Sequence, residues 1–191
     1  MGLDVGLKSV LATSDEQFIE NPSYIREAEK SLKTKQRDVS RKKLRLNNRK
    51  KAVRILANQH EKVKNSRKNF HHQTARNIVI RYDKIFVENL NVKGMIQNHH
   101  LAKSISDAGW TSFLNILITK AESAGREVIQ VNPRNTSQMC SGCGKIVKKT
   151  LAIRQHSCPS CGLSIDSDVN AALNIKRLGL SLCGEVGLPA L

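Results

Sequence analysis

Hydrophobic and polar positions near the start of the chain follow the pattern of short strands. The stretch from Gly2 to Thr13 mixes apolar residues with small and polar ones, and a polar cluster at 14–16 ends it. Short runs of this kind, bounded by turn-forming residues, predict a β-hairpin. A third short strand is predicted near Gln17 to Ile19.

The pattern then becomes helical, because apolar residues recur at intervals of three to four. It predicts one helix from Ser23 to about Leu46, with a break at Asn47-Asn48. A second long helix is predicted from Arg49 to about Ile80, with an apolar stripe along one face. Together the two helices would form a helical hairpin over about residues 23–80.

The second half of the chain alternates between strand and helix patterns. The apolar run from Lys84 to Glu88 predicts a buried strand, and the stretch from Asn89 to His100 predicts a loop. An amphipathic helix is predicted from Ser104 to Ala124, then a strand from Val128 to Val131 and a last helix from Val169 to Leu178. Strands joined through a crossover helix predict an α/β sheet.

Positive charge is concentrated in the predicted hairpin. The chain carries a net charge of +16. Between Arg26 and Arg54 there are thirteen Lys and Arg residues against three acidic ones, an excess of ten. Such a dense run of one sign favours phosphate contact over a merely solvated face, and such contacts fix affinity and position more than sequence preference. The candidates for nucleic-acid contact are Arg41, Lys42, Lys43, Arg45, Arg49, Lys50 and Lys51.

Other partners of a basic protein fit the sequence less well. No stretch approaches the roughly 20 apolar residues of a membrane span, and the first fifteen residues include Asp4, Lys8 and Asp15, unlike a signal peptide. An anionic membrane surface is disfavoured because the basic stretch lacks an aromatic-rich apolar face. These features predict a cytoplasmic protein that has no membrane association and binds nucleic acid. A basic zinc-ribbon protein of the translation machinery is a weaker alternative.

Four of the five cysteines form two Cys-x-x-Cys pairs separated by fourteen residues. The two-residue spacing lets both thiolates of a pair reach one ion, and two such pairs complete a closed tetrahedral zinc site. Disulfides and redox pairs are the alternatives, but the first are disfavoured in a cytosolic chain and the second occur singly. We therefore predict a structural Zn²⁺ held by Cys140, Cys143, Cys158 and Cys161.

Three other residues are interpreted as lying outside any metal site. Cys183 has no partner at ligand spacing. His156 could replace a thiolate on paper, but four cysteines already fill the shell, so we interpret it as surface-exposed or facing nucleic acid. Lys8 could contact phosphate near the first strand, although a solvated lysine is the commoner role at such a position.

Three acidic residues lie within or at the ends of predicted strands and helices. Asp4 lies in the first strand, Glu88 ends the buried strand, and Asp168 begins the last helix. Carboxylates that hold two Mg²⁺ ions about 4 Å apart can activate water and stabilise the leaving oxygen in phosphodiester cleavage. Singly, each acid also fits an ordinary role at a strand or helix end. We interpret Asp166 as a helix cap.

Five segments of the chain match, in order, a known set of motifs. They are GLDVGLK from Gly2, VENLNVKGM from Val87, LAKSISDAGW from Leu101, NTSQMCSGCG from Asn135 and CPSCGLSIDSDVNAALNI from Cys158. Through these segments the chain resembles the TnpB/OrfB family of transposon proteins, which are kin to the type V CRISPR effector nucleases. The resemblance extends from Gly2 to about Leu188.

The resemblance implies a RuvC/RNase H-like mixed α/β sheet with a long helical hairpin and an inserted four-cysteine zinc ribbon. It assigns the catalytic, Mg²⁺-binding acids to Asp4, Glu88 and Asp168. It also implies metal-dependent DNA cleavage directed by a guide RNA derived from the transposon end. The expected division is a nuclease domain at 1–135, a zinc ribbon at 136–164, and the last helix and C-terminal tail at 165–191.

Two features depart from the family pattern. Members usually carry a long N-terminal half, whereas this chain begins almost at the first catalytic strand. In addition, Ser167 stands where the family often has Arg between two acids. The alternative function is therefore a truncated, catalytically inactive, zinc-containing nucleic-acid-binding remnant. The three acids favour the enzyme, and the shortened N-terminal side favours the remnant.

Overall fold

The computed structural model of the chain describes residues 1–7, 9–97, 99–150 and 153–185, with no side chain described in 98–101. Lys8, a candidate for phosphate contact, lies outside the described residues. Within those ranges, no helix has both the length and the apolar character that a membrane span requires.

A five-stranded mixed sheet forms the centre of the fold. Its strands are β1 (Gly2–Val5), β2 (Ser9–Thr13), β3 (Phe18–Glu20), β4 (Lys84–Glu88) and β5 (Glu127–Val131). Their order is β3-β2-β1-β4-β5, with β1 antiparallel to β2 and parallel to β4, and with β4 parallel to β5. The β-hairpin predicted over residues 2–13, the buried strand predicted from Lys84 to Glu88 and the α/β class are confirmed.

Helices cover both faces of this sheet, and β4 shows why. The helices are α1 (Tyr24–Ser40), α2 (Asn47–Arg81), α3 (Val92–Ile96), α4 (His99–Ala108), α5 (Trp110–Ser123) and α6 (Ser167–Leu182). Successive side chains of a strand point to opposite faces. Ile85 and Val87 therefore join the core beneath α2 and α5, whereas Phe86 packs with Ile175 of α6 on the other face.

Two glycines allow α6 to lie close against the sheet. A Cβ atom on Gly2 would overlap the carbonyl oxygen of Ala172, and one on Gly179 would overlap the ring of Phe86. The missing side chains thus permit backbone-to-backbone approach at β1 and ring-to-backbone approach at β4. This contact fixes the start of α6 over the same edge of the sheet where β1 and β4 end.

The predicted helical hairpin is present as α1 and α2, but the turn between the two helices lies earlier in the chain than expected. The helix α1 ends at Ser40, and the predicted break at Asn47-Asn48 is wrong because both residues belong to α2. Val39 is the one buried residue of α1, and residues 41–48 are all exposed, so the chain beyond the helix packs against no core surface. Arg49 then closes the turn, since its Nη1 donates to the carbonyl oxygen of Val39 at 2.7 Å.

Two further predictions between β4 and β5 are wrong. The predicted loop from Asn89 to His100 contains α3, whose first turn is capped by the Asn91 side chain accepting from the Gly94 amide at 3.0 Å. The single helix predicted from Ser104 to Ala124 is two helices, α4 and α5. Gly109 separates them with a φ of 63°, a left-handed conformation that interrupts the helix.

The cysteine-rich segment forms a small ribbon between β5 and α6. Its strands β6 (Gln155–Ser157) and β7 (Ser164–Asp166) pair antiparallel, and an isolated bridge joins Met139 to Ile146. The chain passes directly from β7 into α6, because Asp166 ends the strand and caps the helix. The division at residues 135 and 164 stays a prediction.

Candidate metal centres and nucleic-acid surface

The four paired cysteines converge on one point. Among the described residues they are the group whose metal-ligating atoms all lie within 4.8 Å of one another. The sulfur atoms of Cys140 and Cys161 are 3.6 Å apart, as are those of Cys143 and Cys158. Zinc–sulfur bonds of about 2.3 Å in a tetrahedron place the sulfurs about 3.8 Å apart. The cluster could therefore bind zinc, as the sequence predicted.

Matching turns build the two halves of this cluster. The Gly144 amide donates to the carbonyl oxygen of Cys140, and the Gly162 amide donates to that of Cys158. Both glycines have φ above 70°, which a side chain would disfavour. Burial alone would raise the pKa of the Cys158 thiol, but the backbone amides of Ser160 and Cys161 lower it to about 6. The pKa of Cys161 is raised to about 12, because the lowering effect of the Leu163 amide is outweighed by burial and by hydrogen bonds with the neighbouring thiols. Of these two thiols, Cys158 therefore forms the thiolate that a metal requires more readily.

Of the interpretations made for Cys183 and His156, the first is confirmed and the second is wrong. Cys183 lies outside the cluster, packed at the edge of the core around Phe86, as predicted. The interpretation of His156 as a surface residue is wrong, because its side chain is fully buried within the ribbon. Burial lowers the pKa of His156, and its Nδ1 lies 3.3 Å from the ammonium of Lys149.

The three candidate acids line one open cavity of about 380 Å³. Asp4 lies on β1, Glu88 at the end of the neighbouring β4, and Asp168 in the first turn of α6. Parallel strands end at the same sheet edge, and α6 begins over that edge, so the fold gathers residues far apart in sequence. We call this cavity the acid cleft. Unlike the thiols, its three carboxyl groups do not all lie within 4.8 Å of one another.

Repulsion and burial act together on the carboxyl groups of the cleft. Burial raises the pKa of Asp4 well above its usual range, and the charges of Glu88, Asp168 and Asp166 add to this. Burial also raises the pKa of Glu88, while a hydrogen bond from the Thr136 hydroxyl opposes the change. A site with crowded, partly desolvated carboxylates favours a cation.

The two acids of the segment Asp166-Ser167-Asp168 have different positions. Asp166 caps α6, because its Oδ1 accepts from the amides of Asp168 at 2.8 Å and Val169 at 3.3 Å. Asp168 lines the acid cleft, with its Oδ1 3.6 Å from Nη1 of Arg154. The structure thus brings Asp4, Glu88 and Asp168 into one cavity and gives Asp166 the predicted capping role.

Comparison with known proteins assigns the chain to a family. The family model OrfB_IS605, described as a probable transposase, matches residues 1–99, more than half of the chain. This chain belongs to the OrfB_IS605 family. A second model, the TNB domain of Cas12f1-like proteins, matches residues 110–175, which include the four-cysteine cluster.

Two relatives of this OrfB_IS605 chain align with nearly all of it. A protein of Streptomyces pristinaespiralis, provisionally named RNA-guided DNA endonuclease, is 36% identical over 189 residues, 97% of this chain and 47% of that relative. InsQ of Escherichia coli (strain K12), with the same provisional name, is 29% identical over 204 residues, 97% of this chain and 51% of that relative. The chain spans about half the length of these relatives, and both are named as DNA endonucleases.

A solved structure shares the fold of this OrfB_IS605 chain. The cryo-EM structure of a CRISPR-Cas12f ternary complex matches it with a TM-score of 0.66 and 26% identity, covering 91% of this chain and 37% of that one. The shared architecture confirms the predicted fold class, a RuvC/RNase H-like mixed sheet with an added four-cysteine ribbon.

Two buried asparagines of α6, which the sequence did not reveal, attach the ribbon to the rest of this OrfB_IS605 chain. The Nδ2 of Asn174 donates to the carbonyl oxygens of Thr136 and Met139 at 2.8 and 2.6 Å. Asn170 donates to the Met139 carbonyl and accepts from the Ser141 amide. Their spacing of four residues on one helix face was the available signal, but it resembles an ordinary helix.

The basic residues at the hairpin turn form an exposed surface. Arg49 is the exception, since it is partly buried and also donates to the carbonyl oxygen of Lys42 at 3.3 Å. The turn extends beyond the core, and Leu44 and Leu46 are exposed there. The exposed candidates, whose role in nucleic-acid binding stays a prediction, are Arg41, Lys42, Lys43, Arg45, Lys50 and Lys51.

Proposed function

We propose that this chain is the nuclease core of a TnpB-type, transposon-associated RNA-guided DNA endonuclease, which cleaves DNA phosphodiester bonds with Mg²⁺. The acid cleft is the observation that carries the proposal. Asp4, Glu88 and Asp168 come from three separate elements and line one cavity. Burying like charges together costs stability, so packing alone gives no reason for the arrangement. The names of the two relatives support the same function.

The donor set of the cleft fits magnesium. Its side chains offer carboxylate oxygens, which Mg²⁺ prefers, and the open cavity leaves room for water and a phosphate. The proposed ligands are Asp4, Glu88 and Asp168. Bound there, Mg²⁺ would supply a polarised water and charge stabilisation for the leaving oxygen. The Thr136 hydroxyl, which donates to Oε1 of Glu88, would hold that carboxylate in one orientation.

The remaining features have supporting roles in this proposal. A structural Zn²⁺ on Cys140, Cys143, Cys158 and Cys161 would hold the ribbon folded, because a site closed by four thiolates has no open position for chemistry. The exposed basic turn of the hairpin would contact phosphates of DNA or of a guide RNA. A nucleic-acid substrate also fits the expected cytoplasmic location.

A cleavage assay tests the catalytic role of the cleft. The chain would be incubated with labelled DNA, with and without guide RNA, in the presence or absence of Mg²⁺. We expect Mg²⁺-dependent cleavage that Asp4→Asn reduces to background, because the cleft would lose a metal ligand. Glu122→Gln, an exposed change on α5, is the matched control and should cleave normally. Cleavage that survives Asp4→Asn would contradict the proposal.

Binding measurements in the same experiment separate affinity from chemistry. Asp4→Asn should still bind DNA, whereas replacing the four turn residues 41, 42, 43 and 45 with Ala should weaken binding and flatten its salt dependence. Exchanging Arg for Lys and Lys for Arg at those four positions keeps the charge and should preserve both. A chain that binds through this surface under all conditions but never cleaves would instead be an inactive nucleic-acid-binding remnant.

A further inference from the structure

The acid cleft contains a lysine that comes from the zinc ribbon. Lys149 lies in the segment between the two cysteine pairs, yet its side chain lines the same cavity as Asp4, Glu88 and Asp168. Its neighbour Lys148 is exposed to solvent, whereas Lys149 is partly buried. A lysine at the ribbon surface would lose no solvation, so its place in the cleft needs a compensating interaction.

Two polar groups hold the Lys149 ammonium in place. Its Nζ donates to Oγ of Ser167 at 2.5 Å and lies 3.3 Å from Nδ1 of His156. Ser167 stands between Asp166 and Asp168, and its amide donates to the carbonyl oxygen of Arg154 at 2.7 Å. The ammonium is therefore anchored at the point where the ribbon joins the start of α6, beside the cleft acids.

The positive charge of Lys149 and the negative charges of the cleft acids affect one another. Burial lowers the pKa of Lys149, while the charges of Asp168, Asp166 and Asp4 oppose that change. In return, the charge of Lys149 lowers the pKa of Asp4. His156 is fully buried and its pKa is lowered, chiefly by burial. Its ring therefore accepts a hydrogen bond from the Lys149 ammonium and adds no second positive charge. Of the two cations among the described residues that line the cleft, Lys149 is the more buried, since the Arg154 side chain is about half exposed at 54%.

We propose that Lys149 is a built-in counter-ion of the acid cleft, placed there by the zinc ribbon, which competes with divalent cations for Asp4, Glu88 and Asp168. The inference rests on the proposed metal site of those three acids. A fixed positive charge beside the carboxylates balances part of their repulsion when no metal is bound, and it repels an entering divalent ion. Lys149 is therefore a positioning residue that sets how tightly the cleft binds metal.

Metal binding without DNA tests this role directly. The zinc-loaded chain would be titrated with Mn²⁺ as a spectroscopic probe for the cleft, and free Mn²⁺ would be followed by electron paramagnetic resonance. Lys149→Met should bind Mn²⁺ more tightly, by about tenfold, because the repelling charge is lost while the side-chain volume is kept. Lys149→Arg keeps the charge and should bind like the unaltered chain. Lys148→Met removes an exposed charge and is the matched control.

The same titration distinguishes this inference from the proposed function. Asp4→Asn should weaken Mn²⁺ binding, and if it does not, the metal site and everything built on it are wrong. If Asp4→Asn weakens binding but Lys149→Met leaves it unchanged or weakened, only the counter-ion role is overturned. Tighter binding by both Lys149→Met and Lys149→Arg would also overturn it, because the effect would then follow shape and not charge.

Discussion

The thiol cluster and the acid cleft are two polar sites built in opposite ways. The thiol cluster takes its ligands from two short turns, and all four sulfurs lie within 4.8 Å of one another. The acid cleft takes one residue from each of β1, β4 and α6, and its carboxyl groups stay further apart around an open cavity. One site is closed by local chain geometry, and the other is held open by the tertiary fold.

This difference separates a site suited to structure from one suited to chemistry. A saturated set of thiolates leaves no position for water or substrate, so a metal there can only stabilise. An open cleft lined by carboxylates and other polar groups has room for both an ion and a phosphate. The two sites meet at α6, whose first turn borders the cleft and whose Asn170 and Asn174 contact the ribbon.

Removing one thiol should give the largest effect. Cys143→Ser should reduce bound zinc from about one ion per chain to near zero, and structural zinc sites contribute about 10 kcal/mol or more of binding free energy to folding. Metal analysis and thiol titration would measure the loss. Cys183→Ser, a change outside the cluster, should keep both zinc and stability. Zinc retained in Cys143→Ser would show that the four thiols do not share one ion.

Removing the hydrogen bonds of Asn174 between α6 and the ribbon should have a smaller effect on stability. Asn174→Ala leaves the Thr136 and Met139 carbonyl oxygens without its amide donor, which should lower the free energy of unfolding by about 1–3 kcal/mol. Chemical denaturation would measure it, with the exposed Asn115→Ala as control. Zinc content should stay the same, because the thiol cluster is local. Loss of zinc here would mean that the cluster depends on the fold as the cleft does.

Relieving repulsion in the cleft should give the smallest effect, and of opposite sign. Because the folded-state pKa of Asp4 is raised, its carboxylate destabilises the metal-free fold above that pKa, and the penalty disappears below the ordinary value of 3.8. Asp4→Asn should therefore raise the free energy of unfolding at pH 7 by about 1 kcal/mol. The gain should vanish near pH 3.

Thermal denaturation in buffer freed of Mg²⁺ would measure this effect of Asp4→Asn. Added Mg²⁺ should stabilise the unaltered chain but not the variant, because the ion relieves the same repulsion. Glu122→Gln should change neither curve. An Asp4→Asn chain less stable at pH 7 than the unaltered one would show that the Asp4 carboxylate contributes packing or hydrogen bonds that outweigh its repulsion.

The sequence predicted the thiol cluster better than it predicted its surroundings. Spacing within each Cys-x-x-Cys pair is a local property, so turn geometry alone brings the thiols together. The three acids were singled out by their positions in the predicted strands and helices, but it was a family resemblance that assigned them to one site, because nothing local indicates that Asp4 and Glu88 share a cavity. Their convergence depends on the parallel pairing of β1 with β4.

The misplaced boundaries have a common cause, which is that periodicity does not show what a helix packs against. The pattern around Leu44 continues as a helix, but no core surface lies there, and α1 ends at Ser40. The apolar periodicity from Ser104 to Ala124 runs across Gly109, whose left-handed backbone separates α4 from α5 in the structure. Nothing in the sequence indicated the place of Lys149, and His156 was wrongly interpreted as surface-exposed or facing nucleic acid, because only the folded ribbon places both residues beside the start of α6.

The antiparallel pairing of β6 with β7 also bears on how such chains can diverge. Gln155, the first residue of β6, pairs with Asp166, the last residue of β7. The segment between the two cysteine pairs therefore enters β6 next to the point where the chain passes from β7 into α6. The Lys145 carbonyl oxygen and the Val147 amide hydrogen-bond to the first cysteine turn, and the Arg154 carbonyl oxygen accepts from the Ser167 amide. Insertions or deletions after Val147 and before Arg154 would leave these bonds, and with them the thiols and the start of α6, in place. What such length changes would alter is which side chain enters the cleft from the ribbon. If Lys149 has the proposed counter-ion role, length changes in this segment would alter the metal affinity of the cleft while the proposed ligands stay the same.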